Sequence, residues 1–107
     1  MILLLGKNDA VEKYAEETLK IDMDNDIVYY PSVTTHHTEV SKYVDIAREE
    51  KPPVITTQRM DMIDVLLSSD LELEVIRVRE HNNQIYAAKH TKEEAWDLRQ
   101  MYEMELR

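Results

Sequence analysis

Cysteine is absent from these 107 residues, phenylalanine is absent too, and glycine and tryptophan each occur once. Without cysteine there is no disulfide framework, no thiol nucleophile and no thiolate metal site, which suits an intracellular, cytoplasmic setting. The single glycine, Gly6, is too few for a phosphate-cradling loop, which needs several positions where backbone can approach its ligand closely. Positive charge is also short: 13 Lys and Arg stand against 22 Asp and Glu, a net charge of −9. Nucleic-acid affinity comes mostly from Lys and Arg displacing counterions, so a nucleic-acid partner is disfavoured. The acids are spread, 11 in the first 50 residues and 11 in the rest, and read as a solvated surface. The apolar run Ile2 to Leu5 ends at Gly6 with no basic region ahead of it, so neither a signal peptide nor a membrane span is expected.

What remains is the composition of a folded domain, 43% apolar and 33% charged. A chain of this length supports one hydrophobic core, so residues 1–107 are expected to form a single domain. With no phenylalanine, that core falls to Leu, Ile, Val, Met and Tyr.

Apolar periodicity divides the chain. Ile2 to Leu5 reads as a strand buried on both faces of a parallel sheet. Asp9 with Glu12 reads as a capping-box-like helix start, followed by Val11, Tyr14, Ala15, Thr18 and Leu19 at helical spacing. The acidic turn Asp22 to Asp26 leads to a second strand, Ile27 to Tyr30, which Pro31 ends. After the polar loop "SVTTHH", Val40, Tyr43, Val44 and Ala47 mark a second helix that stops before Lys51, Pro52 and Pro53. Val54 to Thr57 is a third strand, and Met62, Ile63, Leu66 and Leu67 are the buried face of a third helix. Glu74 to Arg79 and Gln84 to His90 alternate, and the "HNN" between them suits a tight antiparallel hairpin. Thr91 with Glu94 is a capping box opening a last helix, with Ala95, Leu98, Tyr102 and Leu106 on one side. The expected architecture is α/β, in the order βαβαβαββα: a mostly parallel sheet with a C-terminal antiparallel hairpin and flanking helices.

In an open α/β sheet, ligands bind beyond the carboxyl ends of the strands, which points to three loops. Lys7 and Asn8 precede a helix N-terminus, where free N–H groups favour an anion. Thr57, Gln58 and Arg59 follow the third strand, and Arg59 is a bidentate donor for phosphate or carboxylate. The alternative is that Lys7 and Arg59 are solvated and that Asn8 and Thr57 cap helices. His36 and His37 are adjacent, a poor spacing for chelation from regular structure, and nothing in the sequence brings His81 or His90 to them. All four read as surface histidines, and no metal is expected. Glu12 with Glu16, and Asp61 with Asp64, read as solvent faces, and no serine has a nucleophile-elbow context. No catalytic residue and no cofactor are expected. Trp96 lies about 100° around the last helix from its buried stripe, beside Arg99 and Glu103. That trio is a candidate protein interface, with a sheet-covering Trp as the alternative.

The stretch "DIVYYPSVTTHHTEVSKYVDIAREEKPPVITTQRMDMIDVLL" resembles the Walker B to C-terminal part of ABC-type P-loop ATPases of the RecF and overcoming-lysogenization-defect type. In that family a strand ending in an acidic pair and a helix precede "VIITTHS" and a helix like "xxMIDAL". Here Val54, Ile55, Thr56 and Thr57 match the switch strand, and Met62, Ile63, Asp64 and Leu66 its helix. "LEVIRVREHNNQIYAAKHTKEEAWDL" is similar to the family's terminal hairpin and helix. The resemblance spans Asp26 to Leu98, and its most specific element is "VITTQRMDMIDVL".

Against that pattern the hydrolytic positions are replaced. Pro31 and Ser32 stand where the Walker B Asp and catalytic Glu belong, and Gln58 replaces the switch histidine. "LLLGKNDA" lacks the G-x-x-x-x-G-K-[ST] pattern, and Asn8 stands at the magnesium-binding hydroxyl. The family's signature motif has no counterpart. The resemblance therefore implies a degenerate, non-catalytic remnant: a small interaction or regulatory module whose expected partner is a larger protein, such as a complete ATPase. The alternative function is binding of a phosphorylated small molecule or nucleotide by Lys7, Asn8, Gln58 and Arg59.

Overall fold

Ile2–Leu5 has no polar side chain to offer water, and in the computed structural model, which describes residues 1–21, 26–29 and 36–106, it forms the central strand β1. Parallel neighbours flank it on both sides, β3 (Val54–Thr56) and β4 (Glu74–His81), with Leu3 opposite Ile55 and Val75. Outside β3 lies β2 (Ile27–Tyr29), also parallel. Outside β4 lies β5 (Gln84–His90), antiparallel. The order across the sheet is β2-β3-β1-β4-β5. The expected mixed α/β domain with a mostly parallel sheet and helices is what forms.

Alternation along the strands sends side chains to two cores. Leu3, Leu5, Ile55 and Val75 face helices α2 (Lys42–Glu50), α3 (Met60–Ser68), α4 (Lys92–Asp97) and α5 (Arg99–Leu106). Leu4, Val54, Ile76 and Val78 face α1 (Asn8–Tyr14) on the other side. Handedness explains the division. The connection from β1 to β2 runs one way across the sheet, while those from β2 to β3 and from β3 to β4 run the other. Right-handed crossovers then place α1 opposite α2 and α3. Among the described residues, no helix is long and apolar enough to cross a membrane.

Four local features differ from the sequence expectation. The first helix begins two residues early: Lys7, not Asp9, is the N-cap, without a side-chain bond, so Asp9 lies inside the first turn, where its charge meets the positive helix end. Its last turn widens into a π-helical turn, Ala15–Leu19, before Lys20 in a left-handed conformation. The hairpin loop is Asn82 and Asn83 alone, both at positive φ (51° and 63°), and His81 belongs to β4. The last helix breaks at Leu98 into α4 and α5, and at the break Arg99 Nε donates to the Trp96 carbonyl. The Thr91–Glu94 capping box forms as expected. Residues 22–25 of the expected turn Asp22 to Asp26, and Tyr30, Pro31 and Ser32, lie outside the described residues.

Candidate functional site

The chain leaves β1 toward the face that carries α1 and leaves β3 toward the opposite face that carries α3, so these neighbouring strands form the topological switch point of the sheet. A crevice opens at such a point, beyond the strands' carboxyl ends, and it is where α/β sheets place ligands. Gly6 and Lys7 form one lip and Thr57, Gln58 and Arg59 the other, so the structure brings the two predicted segments together. A hydrogen bond crosses between them: the Gln58 side-chain amide donates to the Gly6 carbonyl at 2.6 Å.

The corner is internally satisfied. Thr56 Oγ1, buried, donates to the Leu4 carbonyl at 2.9 Å. Thr57 is 3% exposed, and its hydroxyl accepts from the Arg59 N–H at 3.2 Å. Arg59 grips Asp61 with two donors, Nε to Oδ1 at 3.0 Å and Nη2 to Oδ2 at 2.5 Å. Asp61 Oδ1 also accepts from the Met62 N–H, which fastens the pair to the first turn of α3. The fork that sequence reasoning offered to a phosphate therefore holds a carboxylate of its own chain, and Asp61 is not a simple solvent-face acid. Neither Asn8 nor Thr57 caps a helix, because the N-cap positions are Lys7 and Arg59. Asn8 is the exposed first residue of α1.

Lys7 is exposed on the β4 side of Gly6, where a cavity of about 450 Å3 is bounded by Asp9, Val78, Arg79, Glu80 and Met104. Gln58 and Arg59 do not reach that cavity. Gly6 belongs to both places, and its lack of a side chain is used there. A Cβ would fall 2.4 Å from the Val78 carbonyl oxygen.

The histidines scatter. His36 Nδ1 accepts from the Thr38 N–H and lies 2.8 Å from the Thr38 hydroxyl, capping the 3-10 turn His37–Glu39. His90 is not the surface residue expected from its place before the last helix. It is half-buried, its Nε2 is enclosed without a hydrogen-bond partner, and its ring lies 6.5 Å from that of Tyr102. Among the described residues, no three His, Asp or Glu side chains are grouped closely enough to hold a metal ion.

The second candidate surface is built from three helices. Trp96 on α4 is 38% exposed, and the Arg99 guanidinium lies 3.4 Å from the centre of its ring. Such cation–π stacking contributes about 0.5–1 kcal/mol at an exposed site. Arg99 Nη1 also reaches Asp64 Oδ1 of α3 at 3.4 Å. Trp96, Arg99 and Glu103 share a shallow cavity of about 490 Å3 with Met60 and Asp64. Sequence reasoning found the trio from its helix but missed the α3 pair, for which the only signal was the opposite charge of Asp64 and Arg99.

Comparisons with protein-family models, with curated proteins and with solved structures each find no match. The chemistry of the two surfaces themselves carries the functional reading.

Proposed function

We propose that this chain is a non-catalytic α/β interaction module that engages a larger protein through α4 and α5, with Trp96 as anchor and Arg99 and Glu103 as polar partners. One observation carries the reading. The sole tryptophan stands partly exposed under an arginine beside a shallow cavity, while the polar groups of the switch-point corner are bound to one another. Trp and Arg are the residue types that most often dominate binding energy at interfaces. Arg99 is held from both sides, by the Trp96 carbonyl and by Asp64, so its side chain loses little further freedom on docking. The resemblance to P-loop ATPases points to a complete ATPase as the partner, and the lack of cysteine supports a cytoplasmic location.

The test is affinity purification from the native host with the wild-type chain and with Trp96→Ala. The expected result is a reproducible partner that the variant loses while its thermal melt stays within a few degrees of wild type. Because there is one tryptophan, the same partner added to the pure chain will shift its fluorescence to the blue. Absence of any reproducible partner, or equal retention by Trp96→Ala, refutes the assignment.

A second reading, a phosphorylated small molecule or nucleotide at Lys7, Asn8, Gln58 and Arg59, is favoured by the Gln58–Gly6 bond that joins both lips of the crevice. It requires Arg59 to exchange Asp61 for the ligand. A thermal-shift scan with ATP, ADP, GTP and inorganic phosphate, with and without magnesium, checks it. At 100 times the dissociation constant a ligand stabilises by about 2.7 kcal/mol. A flat scan disposes of this reading, and a shift abolished by Arg59→Ala upholds it.

A further inference from the structure

The two edges of the sheet are unlike. β2 is three residues long, whereas β5 has seven, in unbroken register with β4 and with neither bulge nor proline. Proteins blunt long edges with short strands, prolines, bulges or projecting charges, because an unpaired row of N–H and C=O groups is a template for another strand. β5 carries one charged side chain, Lys89, which is 70% exposed and pairs with Glu74 of β4 at 3.5 Å.

The phase of the ladder tells which groups point outward. Glu74 N–H donates to the Met1 carbonyl of the β1 chain, and the Val78 carbonyl is the atom that crowds Gly6. The even-numbered residues of β4 therefore direct their backbone groups to β1 and the odd-numbered ones to β5. The partners of the odd-numbered residues are Tyr86, Ala88 and His90. Successive residues of a strand alternate, so Ile85, Ala87 and Lys89 present their N–H and C=O away from the sheet.

We propose that two copies of this chain pair antiparallel through β5 about a two-fold axis at Ala87, joining two five-stranded sheets into one of ten. The register is self-complementary. Ala87 meets its own copy, Ile85 meets Lys89, and both are positions whose backbone groups face outward, so six inter-chain hydrogen bonds form. On the side-chain faces Tyr86, 46% exposed, falls beside the small Ala88 of the other copy. No like charges face each other across the axis. The contact is one strand pair, small for an interface, so the dimer is weak and forms over roughly 10–500 μM. Each copy carries a net charge of −9, so added salt screens the repulsion and strengthens it.

Sedimentation velocity over that concentration range, in 0.05 M and 0.5 M salt, reads the assembly. The expected result is a rise toward twice the chain mass, greater at high salt. Ala87→Pro removes an outward N–H and no bond within the chain, and Ala87→Lys sets two ammonium groups on the axis. Each is expected to raise the dissociation constant at least tenfold while circular dichroism stays that of the wild type. The register has its own probe, since the chain has no other cysteine. Paired Ala87 Cα atoms would lie about 5.5 Å apart, within disulfide reach, so Ala87→Cys crosslinks under mild oxidation. Gln84→Cys, about 20 Å from its copy in this register, does not. A chain that stays monomeric to 500 μM at high salt overturns the proposal. So does a dimer that both Ala87→Pro and Ala87→Lys leave unchanged.

Discussion

Replacing Gly6 by alanine is the sharpest test of how the sheet holds together. Gly6 has φ +158°, and its Cα faces the β4 backbone closely enough that a Cβ would sit 2.4 Å from the Val78 carbonyl oxygen and 3.4 Å from Val11 Cγ2. That is about 0.6 Å inside the shortest approach real Cβ atoms make. The obstacle is backbone, so no side chain can swing aside, and β1 and β4 must separate where they are buried on both faces. Overpacking costs about 1–3 kcal/mol and a strained backbone about as much again, so a total of about 2–6 kcal/mol is expected. At roughly 4–8 °C per kcal/mol for a domain of this size, the melting temperature falls by at least about 8 °C. Urea and thermal unfolding followed by circular dichroism measure it, with Asn8→Ala as an exposed control expected within about 0.5 kcal/mol of wild type. A loss below about 0.5 kcal/mol for Gly6→Ala would mean that β1 and β4 do not approach as described, and the phase argument for β5 would weaken with it.

Three further outcomes are expected. Lys51 ends α2 at φ 49°, a conformation that favours glycine, so Lys51→Gly should stabilise by about 0.5–1 kcal/mol in a urea titration. Thr91→Ala removes the hydroxyl that accepts the Glu94 N–H, and should cost about 1 kcal/mol in the same assay. The Asp70 carboxyl, hydrogen-bonded by Arg48 at 2.6 Å and attracted by its charge, is held below the usual aspartate value. A depressed carboxylate pKa contributes stability that is present above its unfolded value and lost as pH falls through the folded one. An NMR titration should therefore place Asp70 below an ordinary aspartate, and Arg48→Gln should return it upward.

Strand and helix positions were legible because burial imposes period: Ile2 to Leu5 has only apolar side chains for a two-faced interior, and Met62, Ile63, Leu66 and Leu67 recur on one helical side. Positions set by backbone connections were less so. The helix break at Leu98 and the π-helical turn after Tyr14 depend on hydrogen bonds that no composition announces, such as Arg99 Nε to the Trp96 carbonyl. The candidate corner was legible as a place, since Thr57, Gln58 and Arg59 follow a buried strand. Its state was not, because Arg59 selects Asp61 by the local geometry of one turn.

By itself the sequence determined the secondary-structure rhythm and the mixed α/β class of the fold. Those follow from residue type and near-neighbour spacing. Only the tertiary structure decided that Gly6 serves strand contact, that Gln58 closes the switch point, that Asp64 joins Arg99, and which backbone groups of β5 face outward. Each joins residues far apart in the chain, or fixes a strand's phase against a distant neighbour, and the order of strands in the sheet settles both.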